Sequence, residues 1–181
     1  NLFCEHIESL CGVYDSLLNK YSYERVLLHS GMVEYYFLDD VAQPFRSLAH
    51  FNQWVPLGRQ PNCVIEYCPG ERPRLYYFQA QDYWHGTPAA PEGFWLDSFD
   101  ICIVSSVGEL AELIAANKKK TLYLGKHAEK VKASWKFSEA NELLLVHELH
   151  LARTIKTRYE QVCIKEANRL ALGAHAKAQG L

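Results

Sequence analysis

At 181 residues the chain is long enough for one domain with a sizeable core and too short for two generous ones, so one compact unit plus an appendage is the starting expectation. Apolar residues at 49% and charged residues at 22% match globular averages and exclude disorder and low complexity, while a net charge of −2 offers no positive field to a phosphate backbone and argues against nucleic acid as a partner. No stretch approaches the roughly 20 apolar residues of a membrane span, and residues 1–10 lack a basic-then-apolar signal pattern, so a cytoplasmic protein away from membranes is expected.

Leu2, Phe3, Ile7, Leu10, Val13, Tyr14 and Leu17 recur at helical spacing and predict an opening amphipathic helix over 2–18. Residues 26–28 read as a short buried strand, Ser30-Gly31 interrupts it, and 33–38 is a second candidate strand joined to the first by a tight turn. Residues 39–58 mix Asp, Pro, Arg, His and Trp without a period and read as a long irregular connection, a place where function often lies. Residues 62–67 and 75–78 flank a turn rich in Pro and Gly and predict a hairpin. A polar and aromatic loop over 79–94 follows, then a strand at 99–104, a helix at 107–116, a strand at 121–124 and a helix over 127–135. Later alternation beside an earlier hairpin implies an α/β fold, a mixed β-sheet flanked by helices.

From 141 the pattern stays helical almost to the end, first with Leu143, Leu144, Val146 and Leu149 as apolar positions. Thr157-Arg158-Tyr159-Glu160 then has the form of a capping box, which starts a new helix. Its apolar positions Tyr159, Cys163, Ala167, Leu170 and Ala174 form a stripe, and Gly180 is a natural stop. A long helix with one apolar face packs on something, and the partner of this one is expected outside the chain.

Few constellations suggest chemistry. Asp39 and Asp40 invite a two-carboxylate metal site, but adjacent residues in an extended segment point to opposite sides, and solvated loop acids are the simpler account. His147-Glu148-Leu149-His150 is one residue short of the zincin pattern and reads as a partly exposed helix face. Lys118-Lys119-Lys120 is shorter than the about 5 to 8 residues of a basic nucleic-acid patch. Cysteines 4, 11, 63, 68, 102 and 163 have neither zinc nor Cys-x-x-Cys spacing and are expected as reduced, buried thiols. Gly-x-Gly-x-x-Gly, Walker and Gly-x-Ser-x-Gly motifs are absent. Tyr83-Trp84-His85, with Trp54 and Trp95, sits in loops among Pro, Gly and Asp and suggests a recognition surface.

The order of the short motifs carries a resemblance. His29-Ser30-Gly31, Phe37-Leu38-Asp39-Asp40, Pro44-Phe45, Phe51-Asn52-Gln53-Trp54-Val55-Pro56, Pro61-Asn62-Cys63 and Asp82-Tyr83-Trp84-His85 closely resemble the amino-terminal domain of bacterial Xaa-Pro dipeptidases (prolidases). Organophosphorus acid anhydrolases belong to the same creatinase, prolidase and aminopeptidase P group. Arg153-Thr154-Ile155-Lys156-Thr157, then Glu160 and Ala167, looks like the segment leading into the catalytic domain of that group. Residues 107–120 and 127–135 match the family only in pattern, and 66–70 is a variable turn.

The resemblance implies a ribonuclease-H-like amino-terminal domain over 1–153, and over 154–181 a linker and the first helix of a pita-bread catalytic domain absent from this chain. It implies no catalytic residue, metal ligand or cofactor here. Two divalent metals, manganese by the resemblance, would be held by Asp, Asp, His, Glu and Glu ligands in the absent domain and would activate the water that attacks the Xaa-Pro bond. The partners implied are that catalytic domain, a second copy in a homodimer, and a dipeptide substrate. Asp40 matches the position that reaches the partner's active site and meets the substrate's amino group; Trp84 and His85 match a further substrate-binding loop. Two alternatives stand beside this one: a free-standing peptide-binding module using the Trp54 and Trp84 loops, and a self-contained hydrolase or nuclease, disfavoured because no acidic cluster converges in sequence.

Overall fold

The computed structural model describes residues 1–80 and 89–180. Helix α1 (Leu2–Lys20) opens the chain, its first turn capped by the Asn1 side chain, which accepts a hydrogen bond from the Phe3 amide at 3.1 Å. Strand β1 (Arg25–His29), a short helix α2 (Ala49–Trp54), and strands β2 (Val64–Tyr67) and β3 (Arg74–Phe78) follow. A 3-10 turn at Leu96–Ser98 leads into β4 (Asp100–Val104), α3 (Val107–Ala116), β5 (Thr121–Leu124), α4 (Ala128–Trp135), β6 (Glu139–Ala140), α5 (Leu143–Ala152) and α6 (Arg158–Gln179).

Among the described residues the strands form one six-stranded sheet in the order β4-β3-β2-β1-β5-β6. Strand β2 runs antiparallel to both its neighbours, and the remaining pairs are parallel. This is the mixed sheet expected. Because successive side chains of a strand point to opposite faces, each central strand feeds two cores. Val26 and Leu28, Ile65 and Tyr67, Leu75 and Tyr77, Leu122 and Leu124 join Phe3, Leu10, Tyr14 and Leu18 of α1, Phe51 and Trp54 of α2, and Leu145 and Leu149 of α5 on one face. Leu27, Val64, Tyr76 and Tyr123 meet Leu110 and Ile114 of α3 and Val131 and Trp135 of α4 on the other.

The second face also buries an ion pair, Arg25 (1% exposed) with Glu66 (6% exposed), at 2.9 Å. Such a pair is tolerated only when every polar atom finds a partner. Arg25 also donates to the Thr121 hydroxyl and to the Ile114 and Asn117 carbonyls, while Glu66 also accepts from Tyr76 and Asn117. Burial by itself would raise the Glu66 pKa, but the hydrogen bonds from Tyr76 and Arg25 outweigh it and hold the carboxylate ionised.

Several expectations are corrected. Residues 33–38 are not a second strand of the sheet: both edges of β1 are already taken, by β2 and β5, so no edge is left for them. The stretch 39–58 is not wholly irregular, since burial of His50, Phe51 and Trp54 folds α2 within it. Strand β6 has two residues and no period from which to foresee it. In α5 the buried leucines are Leu145 and Leu149, whereas Leu143 and Leu144 face out. The six cysteines are free, but only Cys63 and Cys68 are buried, and Cys163 is exposed. Among the described residues no helix is long and apolar enough to cross a membrane.

The capping box at Thr157 is present as expected. The His6 Nε2 lies 2.7 Å from the Gln53 carbonyl, which can only accept, so Nδ1 is left to accept from the Thr157 hydroxyl at 2.8 Å. With Tyr159 packed edge-on against Phe3, this ties the first turn of α6 to α1. Beyond that turn every residue to Gly180 is exposed.

Candidate functional site

Two arms of chain, 33–36 and 41–44, leave the sheet together as a narrow ribbon bridged at Tyr35 and Ala42. The Gln43 amide donates to the Glu34 carbonyl at 2.7 Å, and the Tyr36 amide to the Val41 carbonyl at 3.1 Å. A tight turn closes the tip, where the Asp39 amide donates to the Tyr36 carbonyl at 3.1 Å. Leu38 occupies the turn position that needs a left-handed backbone, at φ 57°, a conformation that costs about 1–2 kcal/mol for a residue other than glycine. Phe37 and Leu38 are each 91% exposed. A leucine in this backbone conformation and 91% exposed gains no burial from its own fold.

The ribbon leaves the sheet at His29-Ser30-Gly31. The Ser30 amide donates to the Cys63 carbonyl at 2.8 Å, its hydroxyl accepts from the Cys63 amide at 3.0 Å, and the Asn62 amide donates to the Gly31 carbonyl at 2.7 Å. Two of the sequence motifs are thus each other's hydrogen-bond partners. Gly31 turns the chain outward at φ 118°, a conformation that side chains rarely adopt, with the Phe45 ring in ordinary contact distance.

A cleft of about 340 Å³ lies at the ribbon's root, lined by Glu34, Phe45, Arg46, Lys126 and His127 among others. It sits beyond the carboxyl ends of the parallel neighbours β1 and β5, where α/β sheets place ligands. Glu34 makes an ion pair with Lys126 and lies 4.0 Å from the His127 Nδ1. The Lys126 hydrogen bond holds the Glu34 carboxyl below the usual carboxylate range. Burial pushes the His127 pKa down, with Glu34 pulling against it. Behind them His29 is fully buried, its Nδ1 2.8 Å from the Tyr123 hydroxyl, and burial together with nearby His127 pushes its pKa down to about 3. The cleft therefore holds neutral imidazoles and a carboxylate already paired. Its chemistry fastens the ribbon to the β5–α4 turn rather than preparing an acid or a nucleophile.

Asp40 stands exposed at the tip, and Asp39 turns back to accept from the Val41 amide at 3.0 Å. Among the described residues no three His, Cys, Asp or Glu side chains converge to hold a metal. Trp84 and His85, with Asp82 and Tyr83, lie outside the described residues. Trp54 and Trp95 are not part of a recognition surface: Trp54 is fully buried between Tyr14 and Tyr67, and Trp95 packs on Phe99. His150 packs at a tilt against buried His50, 4.9 Å between ring centroids, away from exposed His147. Lys118 caps the Ala115 carbonyl, Lys119 pairs with Glu71 and Lys120 lies over the Tyr23 ring. The exposure of Phe37-Leu38 is not legible in the sequence, because Tyr35-Tyr36-Phe37-Leu38 has the composition of a strand.

Residues 1–151 match the family model described as Xaa-Pro dipeptidase, N-terminal domain. The chain is 35% identical over 178 residues to Xaa-Pro dipeptidase 2 of Idiomarina loihiensis, which covers 98% of this chain and 41% of that protein. It is 32% identical to the Xaa-Pro dipeptidase of Pseudoalteromonas haloplanktis, over 98% of this chain and 40% of the relative. Against that of Shewanella oneidensis it is 31% identical, over 96% and 39%. The chain thus spans about 40% of the length of the curated relatives it matches.

Proposed function

The chain belongs to the Xaa-Pro dipeptidase family through its amino-terminal domain, and from that premise we propose that it is the non-catalytic domain of a cytoplasmic dipeptidase that cleaves dipeptides ending in proline. The domain, residues 1–153, supports a homodimer and completes the substrate site of the partner subunit; residues 154–181 lead into the catalytic domain. The apolar tip of the ribbon carries this reading: Phe37 and Leu38 stand 91% exposed beside Asp40, on arms tied at their root by hydrogen bonds and the Glu34–Lys126 ion pair.

Burying two such side chains in a partner contributes about 1.5–3 kcal/mol each, enough to offset the strain at Leu38. Inserted there, Asp40 would meet the free ammonium of a dipeptide through a charge-assisted hydrogen bond. A longer peptide has an amide instead of that ammonium and would press its extra residues against Phe37 and Leu38. The ribbon would thereby measure substrate length while the chemistry lies elsewhere.

Two divalent metals, manganese by the family resemblance, belong to the same proposal and would supply an activated water. The described residues do not fit them: donors do not converge in threes, and Asp39 is committed to its own turn. We therefore assign metal ligands to the part of the relatives beyond the match. A free-standing peptide-binding module built on Trp54 is disfavoured, because that ring is in the core.

Hydrolysis of an Xaa-Pro dipeptide by the purified chain with added Mn²⁺ is the direct test. No turnover is expected, and measurable turnover would overturn a non-catalytic role. In the longer enzyme, Asp40→Asn should raise KM for dipeptides about tenfold, the size of one charge-assisted hydrogen bond, while kcat changes less. An unchanged KM would remove Asp40 from the substrate site.

A further inference from the structure

A second cleft, of about 540 Å³, opens between α2, the loop that follows it, and the junction of α5 with α6. Arg46, Arg59 and Arg153 line it, with Asn52, Gln53 and Glu160. Elsewhere the arginines are mostly neutralised: Arg25 and Arg74 by Glu66, Arg72 by Asp100 and Arg169 by Glu166. The three in this cleft have side chains that neither hydrogen-bond to nor pair with any described residue. Glu160 offsets one of the three charges without touching a guanidinium, since one carboxylate oxygen accepts from the Thr157 amide at 2.9 Å and the other from the Gln53 side-chain amide at 3.3 Å. The excess charge is felt through the wall: buried His50, with both ring nitrogens unpartnered, is pushed down to about 4, first by burial and then by Arg153.

Like charges gathered around a concavity repel, and a fold that keeps them without counter-ions is complementary to an anion. Guanidinium groups bind oxyanions in paired, planar contacts that a lysine cannot reproduce. Three positive charges less one carboxylate leave a balance that suits a double negative charge. We propose that this cleft binds a small doubly charged oxyanion, a phosphate or a dicarboxylate, held by Arg46, Arg59 and Arg153. Its position at the root of α6 would let the anion brace the junction from which that helix departs. The site does not depend on the role assigned to the ribbon.

The test is titration of the purified chain with inorganic phosphate and, separately, with succinate, at an ionic strength fixed by sodium chloride, followed by calorimetry and by melting temperature. Saturable binding of at least one of the two is expected, the one that binds identifying the chemistry. Arg59→Gln and Arg153→Gln should each weaken it about tenfold, Arg153→Lys should recover only part, and Arg169→Gln, which removes the same charge elsewhere, should leave it unchanged. Because the side chains of the cleft arginines have no partner among the described residues, their substitution should not lower the melting temperature without anion. Melting shifts that follow ionic strength whichever anion is present, or cleft variants that bind as the unaltered chain does, would overturn the proposal.

Discussion

Helices α1 and α6 are the two longest among the described residues, each capped at its start by a side chain and each carrying an apolar stripe. The first buries seven side chains in the body of the domain and the second buries none. Helical periodicity therefore tells that a face wants a partner but not which body supplies it. The ribbon and the hairpin β2-β3 differ in the same way. Both are runs of aromatic and branched residues, but one found free strand edges and the other was left to solvent.

The largest expected difference lies in core truncation. Leu18→Ala in α1 should cost about 2–5 kcal/mol by urea denaturation, whereas Leu170→Ala in α6 should stay within about 0.5 kcal/mol. A large loss at Leu170 would mean that α6 packs on this domain after all.

Acid should sharpen the contrast. The His29 pKa falls from 6.5 to about 3 on folding, so the folded state binds fewer protons than the unfolded one between those values. Keeping His29 neutral costs nothing above pH 6.5, and a penalty on the folded state grows as pH falls toward 3, by up to about 1.4 kcal/mol per pH unit. His29→Gln should flatten the dependence between pH 6.5 and 4.5 in the sheet body. An unchanged slope in that variant would assign acid sensitivity elsewhere.

The smallest effect is expected where the two helices meet. Thr157→Ala removes a cap worth about 1 kcal/mol and one partner of His6. Amide exchange should quicken in the first turn of α6 while the β1 and β5 amides keep their protection. Equal loosening of both would show that α6 and the sheet unfold together.

Much of the fold was legible in sequence. Helix α1, the hairpin, residues 107–116 and 121–124, and the capping box all follow from patterns within a few positions, because turns, caps and helical stripes are satisfied by near neighbours. Helix α2 was not, since its six residues are too few for a period and are anchored by His50, Phe51 and Trp54 in the core. Trp54 looks like a surface ring in the sequence for the same reason. Of the candidate site, the acids of Asp39-Asp40 were visible, but the exposed tip beside them was not. The arginine cleft was hidden altogether, because positions 46, 59 and 153 share no local pattern.

By itself, then, the sequence determined most of the longer helices and strands, where α6 begins, and to which family the chain belongs through an ordered set of motifs. Only the tertiary structure decided which apolar faces are covered. Burial and strand pairing depend on residues brought together from distant positions, as when β2 and β5 close both edges of β1 and leave Phe37 and Leu38 outside.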